Sequence, residues 1–170
     1  MKMEASVQDL QKISRKLEEK ETMNSALWLD EGAFSIAYRF LLRYIRSYHT
    51  VAYRALVTLI PKDSSISEEE FEKITEEFGI VINSSLRKSD LMMQEDTNQF
   101  FLLLPELSEE YVETVFARIR NQWKNTDYYE TTNIRFDAEV VSESESYGDD
   151  QRHYRVNIVP YDYFNKNVKE

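Results

Sequence analysis

Apolar positions along this chain follow two periods, and the switches between them mark out its elements. Val7, Leu10, Ile13 and Leu17 recur at helical spacing with polar and charged residues between them, which predicts a helix over residues 4–21. The apolar stripe is narrow, the pattern of a lever or coiled-coil segment; a tail that packs on the rest of the chain is the alternative. Residues 24–30 read as a short connection, and Asp30 is placed to cap a second helix over residues 31–49. Phe34, Ala37, Tyr38, Leu41 and Ile45 fall on its inner face. Arg39, Arg43 and Arg46 gather elsewhere on it and suit either an anionic partner or a solvated face that offsets an acidic surface.

Tyr53 to Ile60 is nearly continuous apolar sequence and reads as a buried central strand, stopped by Pro61. Ser67 and Glu70 have capping-box spacing at the head of a helix. Phe71, Ile74, Phe78 and Val81 or Ile82 share one face of it, and a cluster of Glu occupies the other. Two short runs, 90–94 and 99–104, flank Glu95-Asp96-Thr97-Asn98 and predict a hairpin. Pro105 ends it. Ser108 is the predicted cap of a further helix with Val112, Val115, Phe116, Ile119 and Trp123 as its buried stripe. Ile134, Phe136, Ala138 and Val140 alternate with charged residues, as in a half-buried strand. Residues 142–151 read as an acidic loop, Tyr154, Val156 and Ile158 as a last strand, and Tyr161, Tyr163 and Phe164 as a packed tail. The fold class expected is α+β: a ferredoxin-like β-α-β-β-α-β core with an antiparallel-rich sheet, helices on one face, and an N-terminal helical extension.

Composition removes many chemistries. The chain of 170 residues has no Cys, which excludes a disulfide scaffold, thiol catalysis and Cys-ligated metals. Its two His lie far apart, and its three Gly cannot build a dinucleotide or Walker loop. The net charge of −10 disfavours broad nucleic-acid binding. No signal segment or membrane-length apolar run is present, so a cytoplasmic location without membrane insertion is expected.

The segment Leu86 to Trp123 resembles the GGDEF domain, the diguanylate cyclase family. That family has R-x-x-D, five residues, G-G-D/E-E-F, a short strand ending in Pro, and then a helix. Here Arg87 and Asp90 hold the ends of R-x-x-D, and Asp96-Thr97-Asn98-Gln99-Phe100 stand where G-G-D/E-E-F is expected. Phe101 to Pro105 supply the strand, and Ala117-Arg118-Ile119-Arg120 resembles the family's Arg-bearing helix. Ala33-Phe34 and Ala55–Ile60 resemble the start of the domain and its first strand, so the likeness spans roughly residues 25–141.

The resemblance implies the nucleotidyl-cyclase-like fold, and the departures from it imply lost catalysis. The family's two Gly let the backbone approach a GTP phosphate; Thr97 adds a branched side chain there, and Asp96 adds a repelling charge. Asn98 and Gln99 replace both acidic positions with neutral amides, and Thr58-Leu59-Ile60-Pro61-Lys62 lacks the acid that ends the family's first strand. Mg²⁺ in such sites depends on carboxylates and phosphates, so no metal site and no cofactor are expected. The guanine-binding Asn and Asp have no counterparts, and the spacing from strand to R-x-x-D is shortened. After residue 141 the family's final helix is not recognisable.

Residues 1–22 are therefore expected to be a signalling helix, pairing with another protein or a second copy, and residues 23–170 a degenerate GGDEF-like domain acting as an interaction module. The alternative implied by the resemblance is a cyclic di-GMP receptor. In it Arg87 and Asp90 would hold a guanine edge and Arg118 a phosphate or second base. The same R-x-x-D can equally be a plain ion pair. An active cyclase is the remaining, least favoured reading.

Overall fold

A computed structural model gives the structure of residues 2–19, 24–105 and 108–141. Its elements are α1 (Lys2–Leu17), β1 (Leu27–Trp28), α2 (Glu31–Tyr48), β2 (Ala52–Pro61), α3 (Glu68–Ser85), β3 (Leu91–Asp96), β4 (Gln99–Pro105), α4 (Glu109–Lys124) and β5 (Thr132–Val141), with a 3-10 turn at Tyr129–Thr131 before the last strand. The expected β-α-β-β-α-β unit runs from β2 to β5. The proposed strand at Tyr154–Ile158 and the tail after it lie outside the described residues.

Five strands form one sheet in the order β1-β3-β4-β2-β5. β2 is an interior strand, next to the edge rather than at the centre the sequence suggests, and pairs antiparallel with β4 on one side and with β5 on the other, while β3 and β4 make the hairpin. The expectation of a bare connection at 24–30 is corrected here. Leu27 and Trp28 form a two-residue strand parallel to Leu91 and Met92, so the sheet is mixed rather than wholly antiparallel. A strand that short carries no alternation to read.

The main core lies between the sheet and the pair α3/α4. Ala55, Val57 and Leu59 of β2, Phe100, Leu102 and Leu104 of β4, and Ile134 and Phe136 of β5 meet Phe78 and Ile82 of α3 and Val115, Phe116, Ile119 and Trp123 of α4. Trp123 is buried with its indole N–H donating to the Thr132 hydroxyl at 2.9 Å. The helices of the β2–β5 unit thus share one face, as expected. α2 lies on the other face, where Phe34 packs with Met93 and Leu103, and Ile45 with Ala52 and Val141. This explains the inward and outward partition of β4: its even positions meet α3 and α4, and Phe101 and Leu103 meet α2.

Local signals match the helix ends unevenly. Asp30 Oδ1 accepts from the Ala33 N–H at 2.8 Å, and Ser67 Oγ accepts from the Glu70 N–H at 3.2 Å, as side-chain caps should. Ser108 is a correction: its side chain makes no capping bond, and only its carbonyl receives the first-turn N–H groups of Tyr111 and Val112. α2 ends on His49 in the left-handed region at φ 54°. α1 spans 2–17 rather than 4–21, and its stripe is open to solvent, from 53% exposure at Val7 to 81% at Leu17.

Gly79 explains a helix-interior glycine that propensity disfavours. A Cβ there would lie 2.5 Å from the Trp28 ring and 2.9 Å from the Phe100 ring. Its absence lets Trp28 stand edge-on to Phe100, centroids 5.9 Å apart, so that β1 is fastened to the hairpin.

Candidate functional site

Two bonds within the hairpin turn and two to β2 hold it. The Asp96 carboxylate accepts from the Thr97 N–H at 2.7 Å, and the Gln94 side-chain amide donates to the Thr97 carbonyl at 2.9 Å. Asn98 faces the neighbouring strand. Its amide donates to the Leu59 carbonyl at 2.9 Å, while the Leu59 N–H donates to the Asn98 carbonyl at 2.9 Å. The Thr97 N–H and carbonyl are thus paired within the turn, and the Asn98 carbonyl and side-chain amide with β2. Gln99 starts β4 opposite Thr58, and Phe100 is wholly buried beneath the turn. Among the described residues, no three His, Asp or Glu side chains gather where they would hold a metal ion.

The second constellation sits at the corner between α3 and β3. Arg87 and Asp90 close a tight turn: the Asp90 N–H donates to the Arg87 carbonyl at 3.0 Å, and the Arg87 N–H donates to Asp90 Oδ2 at 2.7 Å. The Arg87 guanidinium donates to Asp90 Oδ1 at 3.1 Å and to the Pro105 carbonyl at 2.8 Å. The Asp90 side chain is 0% exposed, against 35% for Arg87. Burial raises the Asp90 carboxyl above its ordinary value, and the bonds from Arg87 pull it part of the way back. The Asp90 carbonyl also accepts from the Leu27 N–H at 3.2 Å, tying this corner to β1.

Arg118 reaches the same corner. It donates to the Ser85 carbonyl at 2.9 Å, and its guanidinium carbon lies 5.9 Å from the centroid of the Tyr111 ring. Arg87 lies over the same ring at 4.6 Å. The structure therefore brings together all three residues singled out in sequence, with both arginines near the Tyr111 ring. Tyr111 was not singled out, although Tyr111 and Arg118 are seven residues apart on one helix and so share a face. Among the described residues, Arg87 Nε and the Tyr111 hydroxyl are buried without a hydrogen-bond partner. The hairpin turn carries the other sequence-picked residues, at the opposite end of β3 from this corner.

No protein-family model matches the sequence. No curated protein is similar to it in sequence. Solved structures do share its fold. The GGDEF domain of FimX from Pseudomonas aeruginosa matches with a TM-score of 0.61 at 7% identity, over 84% of this chain and 90% of that one. The coiled coil and GGDEF domain of DgcB from Caulobacter crescentus, in complex with c-di-GMP, matches at 0.56 and 11%, over 85% and 80%. The diguanylate cyclase SiaD from Pseudomonas aeruginosa, in complex with its activator SiaC, matches at 0.59 and 14%, over 86% and 61%. The chain has the α+β, nucleotidyl-cyclase-like fold of GGDEF domains, at identities that speak for fold alone. Among the described residues no helix is long and apolar enough to cross a membrane.

Proposed function

We propose that this chain is a catalytically silent signalling module on the GGDEF fold, which works by binding partners rather than by making cyclic di-GMP. The observation that carries this reading is the self-closed hairpin turn. Where the family's turn would offer backbone N–H groups to phosphate, the Thr97 N–H is taken by the Asp96 carboxylate at 2.7 Å. Where it would offer a metal-binding acid, Asn98 spends its amide on the Leu59 carbonyl. A triphosphate brought to this turn meets the Asp96 carboxylate, and phosphoryl transfer rests almost wholly on positioning and charge neutralisation.

Residues 1–22 supply the contact, through the stripe Val7, Leu10, Ile13 and Leu17 pairing with another protein or with a second copy of the chain. Support comes from its exposure and from two relatives in fold: one carries a coiled coil, and one is bound to a protein activator. The test combines two measurements. Incubation with GTP and Mg²⁺ or Mn²⁺ is expected to yield no cyclic dinucleotide, and removal of residues 1–22 is expected to reduce association in sedimentation analysis. Product accumulation, or association indifferent to the truncation, overturns the reading.

A second reading, a cyclic di-GMP receptor at Arg87, Asp90 and Arg118, is favoured by one observation: a partly exposed guanidinium and a second arginine lie near one aromatic ring. It requires the Arg87–Asp90 pair to open, because the covered carboxylate has no face turned to solvent. Calorimetry with cyclic di-GMP, repeated on Arg87→Ala, decides it. Binding lost in the variant supports the receptor; no heat at high ligand concentration removes it.

A further inference from the structure

A cavity of about 390 Å³ opens between the first turns of α2 and the β3–β4 hairpin, on the sheet face away from α3 and α4. Glu31, Phe34, Ser35, Tyr38, Met93, Glu95 and Phe101 line it. Its volume is in the range of small-molecule sites. We propose that this cavity binds an organic cation, an alkylammonium or guanidinium group on an apolar stem.

Three features carry the proposal. The walls are aromatic. Phe34 and Tyr38, one helical turn apart, lie nearly parallel with centroids 6.3 Å apart, and Phe101 stands edge-on to both at 5.6 and 6.2 Å. Such rings attract a cation through their quadrupoles and cover its apolar substituents. The rim is acidic. Glu31 and Glu95 are both exposed carboxylates on the lining, one from α2 and one from β3. Arg54, a cation that touches the lining, is already matched: it donates to the Tyr38 hydroxyl at 2.8 Å and pairs with Glu139. The positive end of α2 is offset by Asp30, whose carboxylate caps Ala33, and by Glu31 itself. An anion would meet two carboxylates here, and a neutral apolar molecule would leave them unused.

The site adjoins the hairpin turn through Glu95 and Phe101 but includes none of residues 96–100 and none of the R-x-x-D corner on which the function proposed above rests. Two sources share this chemistry, a free small molecule and an arginine side chain on a partner protein.

The test uses the full chain labelled at its methionine methyl groups. Met93 lines the cavity, whereas Met92 points into the core against α3 and α4 and serves as an internal control. Two probes are titrated, benzyltrimethylammonium and the blocked tripeptide acetyl-Ala-Arg-Ala-amide. A saturable shift of the Met93 methyl with Met92 unmoved is expected from at least one, and the tighter probe identifies the source. Glu31→Gln combined with Glu95→Gln, both at exposed positions, should weaken binding about tenfold, the sum of two solvent-exposed charge contacts. The proposal is overturned if neither probe shifts Met93, if benzyl alcohol binds as well as its cationic relative, or if the double variant binds unchanged.

Discussion

Replacing Arg87 with Ala isolates what the Arg87–Asp90 pair does. In the native fold the covered Asp90 carboxylate takes the guanidinium at 3.1 Å on one oxygen and the Arg87 backbone N–H at 2.7 Å on the other. The variant keeps the backbone bond and removes the cation. It also leaves the Pro105 carbonyl without its 2.8 Å donor and strips the guanidinium from the Tyr111 ring. Truncating one partner of a buried ion pair costs about 3–5 kcal/mol. Because 35% of the Arg87 side chain reaches water, solvent screening brings the expected cost down to about 2–3 kcal/mol. For a chain of this size that lowers the melting temperature by roughly 4–12 °C. The loss has a pH signature. Burial raises the Asp90 carboxyl above its ordinary 3.8, so folded Asp90 holds its proton more readily than unfolded Asp90. Its unfavourable contribution is present above the folded pKa and vanishes as pH falls below the unfolded one. Without Arg87 the folded pKa rises further, so the deficit is full near neutrality and shrinks as pH falls through the carboxylate range. Asp90→Asn in the same background recovers stability at neutral pH, since an amide needs no cation. Urea titrations of the wild type, both single variants and the double variant at neutral and acidic pH give the coupling directly. An Arg87→Ala protein as stable as the wild type at neutral pH refutes the structural role.

Three further outcomes follow from the packing. Gly79→Ala gains about 1 kcal/mol of helix propensity but drives a methyl into Trp28 and Phe100, an overpacking cost of about 1–3 kcal/mol. The expected result is a net loss with altered Trp fluorescence; a more stable variant in urea titration would show that Trp28 moves aside freely. Trp123→Phe leaves the buried Thr132 hydroxyl without its indole donor and should cost about 1–3 kcal/mol in thermal melts, so an unchanged melting temperature would contradict the burial. Leu10→Asp should leave unfolding within about 0.5 kcal/mol of the wild type, because an exposed stripe supports no core. The same change should abolish association through α1 in sedimentation, and a strongly destabilised variant would mean that α1 packs on the domain after all.

Periodicity was enough to read the buried faces of α3 and α4 and the strands β2 to β5. The buried residues of α4 are the ones that its spacing picks out, and the hairpin about Thr97-Asn98 follows from two short apolar runs and polar residues between them. These are local properties, decided by which side chains share a face. The i, i+3 spacing of Arg87 and Asp90 likewise announces a contact. What the spacing leaves open is which of the two becomes covered, and that depends on Pro105, Tyr111 and Leu27, all distant along the chain. Tertiary structure alone decided that α2 crosses the opposite face of the sheet, that a two-residue strand joins β3 in parallel, and that Gly79 makes room for Trp28 over Phe100. It also decided that Glu31 and Glu95, 64 positions apart by number, rim one aromatic cavity. Each depends on which elements meet across the sheet, a long-range choice that no single segment's pattern contains.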